Sequence, residues 1–150
     1  MINQTIARFG YPATLIRDYR HWVVLLRPAQ VTAGSLILAA KSDATSYGAL
    51  PEAAFVEQGR VIADIEATLR VAVDYQRINY LMLMMVDPNV HFHVVPRYDG
   101  SRSLGGLDLA DGGWPGPPDL KGALVLEAGQ IERFRDELVG QWRSAPTNAG

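Results

Sequence analysis

The stretch from Asp87 to Arg97 constrains the fold of this chain more than any other part of its sequence. Polar and apolar residues alternate along it, and in an extended strand successive side chains point to opposite faces of a sheet. The pattern therefore predicts a strand with one apolar face turned to a core and one polar face free for chemistry. The apolar face carries Val90, Phe92 and Val94, and the polar face carries Asn89, His91 and His93.

The histidine pair on the polar face is a candidate chemical site. Two imidazoles side by side fill a core poorly, whereas near neutral pH an imidazole serves as a nucleophile, a proton shuttle or a metal ligand. A metal site would need Asp87 or Asp99 to complete the shell, and the sequence offers no other regularly spaced ligand. We interpret the third histidine, His21, as structural.

The composition of the chain fits a single domain over residues 1–150. Of its 150 residues 48% are hydrophobic, which is enough for one ordinary core. A formal net charge of -2 gives no basic surface for a nucleic acid polymer, and the absence of cysteine excludes disulfides and thiolate metal sites. No run approaches the ~18 apolar residues that cross a bilayer, so we expect no membrane partner and a cytoplasmic location.

The remaining patterns predict an α+β fold. Strand-forming residues over 13–26, with a tight connection at 16–19, predict a hairpin that ends before Pro28. Two further strands are predicted at 35–40 and at 78–86, the second covered on both faces and antiparallel to the histidine strand. Apolar residues at helical spacing predict a long helix over 51–73.

The last third of the chain reads as a loop followed by a helix. Glycine and proline are dense over 99–118 and predict a long irregular loop, in which Trp114 is interpreted as a packing anchor at a subunit boundary. Apolar residues at helical spacing predict a C-terminal helix over 127–143, and 144–150 are expected to be frayed.

The row Asn89-Val90-His91-Phe92-His93-Val94-Val95-Pro96-Arg97 resembles the signature of the histidine triad superfamily, in which three histidines alternate with apolar residues and Pro-Arg often follows. The resemblance covers about residues 13–98, because 22–38 look like the family's strand, turn and return strand, and the long helix and apolar strand follow in the same order. It implies a five-stranded antiparallel sheet with one long central helix and a C-terminal helix.

The same resemblance implies a role for each polar residue of the row. His91 corresponds to the middle histidine, the nucleophile that forms a covalent nucleotidyl intermediate at the α-phosphorus. His93 corresponds to the last histidine, which contacts the phosphate or the leaving group. Asn89 replaces the first histidine, and it keeps hydrogen-bonding capacity without carrying a charge. All three are candidate catalytic residues.

The phosphate contacts depart from the family pattern. Many relatives carry a glycine-rich loop just before the triad, and here only Asp87-Pro88 occupies that place. Where relatives tend to place an acid or amide for the ribose hydroxyls, this chain has Arg27. We predict that the anion contacts are relocated. The candidate substrate-binding residues are Arg27, Arg97, Ser101 and Arg102.

The resemblance implies an enzyme that needs no cofactor: a hydrolase or nucleotidyl transferase acting on a phosphoanhydride or phosphoramidate of a small nucleotide. A pocket that binds a nucleotide or phosphate with little catalysis is the alternative, because the first histidine and the glycine-rich loop are missing. A metal-binding His-x-His protein is the third reading. The resemblance also implies a homodimer, and the apolar face of helix 51–73 would suit that contact.

Overall fold

The computed structural model describes residues 2–146, and within them the chain forms three α-helices and nine strands. In chain order these are α1 (Gln4–Arg8), β1 (Leu15–Asp18), β2 (Trp22–Leu26), β3 (Ala29–Gln30), β4 (Leu36–Ala40), α2 (Glu52–Ala72), β5 (Arg77–Leu81), β6 (His91–Arg97), β7 (Ser101–Leu104), β8 (Leu107–Ala110), β9 (Leu124–Val125) and α3 (Ala128–Gln141). Five of the described strands form an antiparallel sheet in the order β1-β2-β4-β6-β5, which confirms the predicted fold class.

Helix α2 lies across one face of this sheet. Its buried side, which includes Ile65 and Leu69, packs in one core cluster with sheet residues such as Leu38 and Val94. Burial of apolar surface on this scale supplies most of the stabilisation of a domain of this size. The prediction that this apolar face meets a partner subunit is therefore wrong, because the helix needs that face to cover its own sheet.

The first two sheet strands form the predicted hairpin, with its turn at a different place. Strands β1 and β2 pair antiparallel, but the connection is 19–21, closed by a 2.8 Å hydrogen bond from the Tyr19 N–H to the Trp22 carbonyl. The residues expected to turn, 16–18, belong to β1. The polar residues Arg17 and Asp18 were interpreted as a turn, but they belong to an edge strand, where polar side chains can be exposed.

The strand predicted at 78–86 is half as long as expected. Strand β5 pairs with β6 over Arg77–Leu81, and it is an edge strand whose side chains are all at least partly exposed. Residues 82–90 leave the sheet as a loop, with Met84 in the left-handed region at φ 51°. Met85 in this loop is 86% exposed. The antiparallel pairing was predicted correctly, and the burial on both faces was wrong.

The second face of the sheet is covered by the N-terminal segment, which the sequence patterns did not indicate. Ile6 of α1 is fully buried in a second cluster with Val23, Leu25, Ile37 and Ala39, on the face opposite α2. The Asn3 side chain caps α1 by accepting a 2.9 Å hydrogen bond from the Ile6 N–H. The histidines of β6 lie on this covered face.

The glycine-rich region predicted as a loop contains a small hairpin. Strands β7 and β8 pair antiparallel around Gly105 and Gly106, which both have positive φ. Helix α3 follows, with a capping box between Glu127 and Gln130, and it matches the predicted C-terminal helix. The prediction that 144–150 are frayed is wrong at Ala145, whose N–H donates a 2.8 Å hydrogen bond to the Asp64 carboxylate. Residues 147–150 lie outside the described residues.

Candidate active site

His91 stands at the start of β6, and its hydrogen bond fixes which ring nitrogen carries the proton. Its Nδ1 lies 2.7 Å from the carbonyl oxygen of Asn89. A carbonyl oxygen only accepts, so Nδ1 carries the hydrogen and Nε2 holds the free lone pair in the neutral ring. An imidazole held in this way is oriented for nucleophilic attack through Nε2.

His93 has the opposite tautomer because of Arg27. The Arg27 Nε donates a 3.2 Å hydrogen bond to Nδ1 of His93, and a guanidinium has no acceptor to offer in return. The lone pair is thus on Nδ1 and the proton on Nε2. Burial, the positive charge of Arg27 and the proximity of His91 lower the pKa of His93 to about 4. At neutral pH this ring is an uncharged donor.

The two rings are adjacent and steeply inclined to each other. Their centroids are 5.1 Å apart with an interplanar angle of 71°. Both side chains are buried, His91 at 2% and His93 at 7% exposure. The strand thus brings a nitrogen lone pair and an N–H donor to one patch of the sheet, as the alternation in the sequence predicted.

Asn89 is close to the pair in sequence but is bonded elsewhere. It precedes β6, and its side-chain oxygen accepts from the Thr5 hydroxyl at 3.0 Å and from the Thr5 N–H at 3.3 Å. Its amide nitrogen donates 2.9 Å to the Asp43 carbonyl. The contribution of Asn89 to the site is its backbone carbonyl, which holds His91. Asn89 thus precedes β6 instead of lying within it, and its side chain contacts α1, which covers the histidine face of the sheet.

Arg27 is the predicted binding residue that the fold brings to the histidines. It follows β2 and lies partly buried, with its Nη1 bonded to the Ala29 carbonyl at 2.5 Å. Burial lowers its pKa from the ordinary arginine value. A guanidinium beside His93 is suited to an anionic group at the imidazoles.

Arg97 lies at the other end of β6, six residues from His91, which corresponds to about 20 Å along a strand. It is 4% exposed, and its guanidinium donates to both carboxylate oxygens of Asp111 at 2.7 and 3.1 Å and to Asn79 at 2.9 Å. Its expected role as a phosphate ligand at His91 is corrected to a buried ion pair. Arg97 borders a separate cavity of about 730 Å³ beside Trp114 and β5.

Ser101 and Arg102 follow the same distant end of β6. Arg102 lies 4.7 Å from the ring centroid of Tyr98 and donates to the Asp74 carbonyl at 3.2 Å, and Ser101 is exposed at the start of β7. The predicted relocation of the phosphate cradle to these residues is corrected by this placement, because a group at His91 is out of their reach.

The contact that the sequence reasoning missed is Phe9. Its ring packs against His91 at 5.5 Å and His93 at 5.8 Å between centroids. A small cavity of about 180 Å³ remains beside the two rings, bordered by the loop residues 83–87. Among residues 2–146, no group of three or more histidine, aspartate or glutamate side chains is placed to hold a metal ion together.

Solved structures share this architecture over nearly the whole chain. A histidine triad protein from Bradyrhizobium japonicum covers 95% of this chain and 98% of its own, with 20% identity and a TM-score of 0.70. A histidine triad protein from Sinorhizobium meliloti covers 94% and 96%, with 20% identity and a TM-score of 0.72. The chain has the histidine triad fold.

This match confirms the resemblance read from the sequence at the level of the fold. A hypothetical histidine triad nucleotide-binding protein from Sulfolobus tokodaii also shares the histidine triad fold, covering 85% of this chain and 82% of its own at 16% identity and a TM-score of 0.64. No protein-family sequence model and no curated protein matches the chain. No helix within residues 2–146 is long and apolar enough to cross a membrane.

Proposed function

We propose that this protein is a nucleotide hydrolase or nucleotidyl transferase that acts at the α-phosphate of a small nucleotide through a covalent intermediate on His91. The observation that carries the proposal is the pair of opposite tautomers: Nε2 of His91 offers a lone pair, and Nε2 of His93 offers a hydrogen. A nucleophile beside a neutral donor is what attack on a phosphoryl group requires.

The chemistry balances in two steps. In the first, the His91 Nε2 forms a bond to phosphorus while the bond from phosphorus to the leaving oxygen or nitrogen breaks, and the leaving group takes up a proton from solvent. In the second, water attacks phosphorus, the N–P bond breaks, the nucleotide departs with a new P–OH group, and the other proton of the water returns to solvent. An acceptor hydroxyl in place of water gives transfer instead of hydrolysis.

His93 and Arg27 support these steps by stabilising the phosphate. With a pKa of about 4, His93 is neutral at physiological pH and donates a hydrogen bond to a phosphoryl oxygen without needing to ionise. The positive charge of Arg27 offsets the charge that builds on the phosphate in the transition state. Arg27 thereby replaces part of the donor set that the missing glycine-rich loop would provide.

The test is turnover of an adenosine phosphoramidate and an adenosine phosphoanhydride by wild-type protein and by His91→Ala. We expect kcat to fall by about three decades or more in the variant, since a covalent nucleophile is removed. His21→Ala is the matched control and should keep wild-type turnover. Trapping a nucleotidyl adduct on His91 by mass spectrometry supports the intermediate, whereas unchanged turnover in His91→Ala refutes it.

A second candidate is a protein that binds a nucleotide or phosphate with little catalysis. It is favoured by Asn89, whose side chain is bonded to Thr5 and Asp43 and so does not act in the imidazole row. The discriminating variant is Asn89→His. If Asn89→His turns over substrate faster than wild type at unchanged ligand affinity, the natural protein is a binding protein with a weakened catalytic centre. If turnover does not rise, asparagine at this position is compatible with full catalysis. Metal binding is the third candidate, checked by elemental analysis of the purified chain.

The assembly and location expected from the sequence complete the proposal. We propose a homodimer in the cytoplasm, with contact at the edge of the sheet, because among the described strands β5 pairs with β6 alone and has partly exposed side chains. An unpaired edge strand is a surface on which a second copy can add its own sheet. Size-exclusion chromatography with light scattering measures the assembly directly.

A further inference from the structure

The described structure has too little space for a nucleotide at the histidine pair. The cavity beside His91 and His93 measures about 180 Å³, whereas sites for small organic ligands usually measure about 300–1,000 Å³. The loop residues 83–87 border this cavity, and the N-terminal residues 3–9 cover the same face of the sheet. Phe9 covers both imidazoles directly.

We propose that residues 3–9 form a lid over the histidine pair, and that Asn89 is the residue that fastens it. Asn89 occupies the position of the first histidine in the histidine triad signature. Its role in holding the lid would explain why an asparagine is found there. The identity of the ligand that enters beneath the lid, a nucleotide, rests on the proposed function, whereas the existence of the lid does not.

The lid is fastened by polar contacts at three points. Thr5 and Asn89 exchange hydrogen bonds, since the Thr5 N–H and hydroxyl donate to the Asn89 side chain and the Asn89 N–H donates to the Thr5 hydroxyl at 3.1 Å. Asn3 donates to the carbonyls of Ala40 and Ser42 at 2.8 and 2.9 Å. The remaining contact is a 3.0 Å ion pair between Arg8 and Asp87.

Opening of the lid has to take Ile6, which is fully buried, out of its cluster with Leu25 and Ile37, but the segment has little stability of its own. Its helix, α1, has five residues, and helices this short are not stable without docking. The ion pair at its end is half-exposed on the Arg8 side. Gly10 follows the C-cap Phe9 with φ 92°, a backbone conformation that glycine adopts freely, and its N–H donates to the Ala7 carbonyl.

The bond between Thr5 and Asn89 is placed to couple the lid to the nucleophile. The side chain of Asn89 holds the lid, while its backbone carbonyl holds Nδ1 of His91. The Asn89 side-chain oxygen accepts two hydrogen bonds from Thr5 while its nitrogen donates to the Asp43 carbonyl. A neutral histidine has one acceptor nitrogen with a single lone pair, so it would lose at least one of these bonds. The asparagine is therefore explained by the cover over the site.

The first test measures access to the imidazoles without any nucleotide. Diethyl pyrocarbonate modifies neutral exposed imidazoles, and mass spectrometry resolves His91, His93 and His21 separately. We expect Thr5→Val, which removes the hydroxyl that Asn89 shares, to increase the modification rates of His91 and His93 by about fivefold, the effect of one lost hydrogen bond on an opening equilibrium. The rate at His21 should stay constant.

The matched control is Thr45→Val, at an exposed threonine, which should leave all three rates unchanged. Phe9→Ala is a second variant that removes the cover itself and should raise the rates at both histidines. Unchanged rates at His91 and His93 in both Thr5→Val and Phe9→Ala would overturn the lid.

Hydrogen exchange on the wild-type protein gives an independent measurement. The amides of Ala7, Arg8 and Phe9 should exchange through local opening, faster than the amides of β4 and β6, which need unfolding of the sheet. If these amides exchange only with global unfolding, the lid is refuted without recourse to any variant.

Binding of adenosine monophosphate separates the lid from the proposed function. If the site takes a nucleotide, Thr5→Val should tighten the apparent Kd by the same factor by which it increases the modification rates, because opening no longer reduces the competent fraction as much. Faster modification with unchanged nucleotide affinity supports the lid and counts against the nucleotide as its ligand.

Discussion

Nε of Arg27 donates a 3.2 Å hydrogen bond to Nδ1 of His93, and this contact connects the end of β2 to the histidine strand. Strand β4 lies between β2 and β6 in the sheet, so the arginine reaches across it to the imidazole. Burial, together with the positive charge of Arg27, lowers the pKa of His93 and keeps the ring neutral, and the bond directs its N–H away from Arg27. It places Arg27 in direct contact with the histidine pair.

Replacing Arg27 should raise the pKa of His93. Burial, the largest cause of the lowered pKa, remains in Arg27→Gln, while the repulsion between the guanidinium and an imidazolium disappears. We expect the pKa to move from about 4 part of the way towards 6.5. NMR titration of the imidazole resonances measures it, with exposed Arg17→Gln as control; an unmoved His93 pKa contradicts the assignment.

Stability should decrease on mild acidification because of His93. Its pKa is lowered on folding, so the folded state resists protonation that the unfolded state accepts. The stabilisation is complete above pH 6.5 and is lost progressively as the pH falls towards 4. Urea denaturation at several pH values should show a smaller pH dependence in His93→Asn than in wild type. Parallel profiles for the two proteins would exclude His93 as the cause.

The Arg97–Asp111 pair should be important for stability. Burial alone would raise the pKa of Asp111, but the hydrogen bonds from Arg97 and the Tyr98 N–H outweigh it and lower the pKa. Asp111→Asn leaves Arg97 buried without its countercharge, and we expect a loss of about 3–5 kcal/mol in the free energy of unfolding. In acid, wild type should lose this contribution as the pH falls below the ordinary aspartate pKa.

Asp99→Asn is the control for this substitution, because Asp99 is exposed in the same region of the chain. Its free energy of unfolding should stay close to wild type at every pH. Equal stability of Asp111→Asn and Asp99→Asn would show that the buried pair has no structural importance.

Gly105 should tolerate alanine much less than Gly106. Both have positive φ, 58° and 82°, which costs a residue with a side chain about 1–2 kcal/mol. A methyl group at Gly105 would also overlap the ring of Phe134, whereas Gly106 faces open space. We expect Gly105→Ala to lose about 1–3 kcal/mol more than Gly106→Ala in thermal or urea unfolding. Similar losses would mean that the hairpin does not pack on α3 as described.

The sequence predicted elements whose pattern is set locally. The alternation over 89–97 identified β6 and the face of its histidines, and the apolar spacing identified α2 and α3 to within a few residues. These succeed because a side chain's face within a strand or helix follows from its position in the sequence.

The failures concern partners that lie far apart in the chain. Residues 82–86 are apolar enough for a strand, but β6 offers partners to β5 only over 77–81. Arg97 looks like an anion ligand until Asp111, 14 positions away, is placed against it. No local sequence pattern predicts that residues 3–9 fold back over β6.

By itself, then, the sequence determined the α+β class, the resemblance to histidine triad proteins and the pairing of two imidazoles on one strand face. The tertiary structure decided the tautomers of His91 and His93, the approach of Arg27 and the covering of the site by Phe9. The reason is physical: strand and helix periodicity are encoded by neighbouring residues, whereas proton positions, pKa values and access depend on groups that only the folded chain brings within hydrogen-bonding distance.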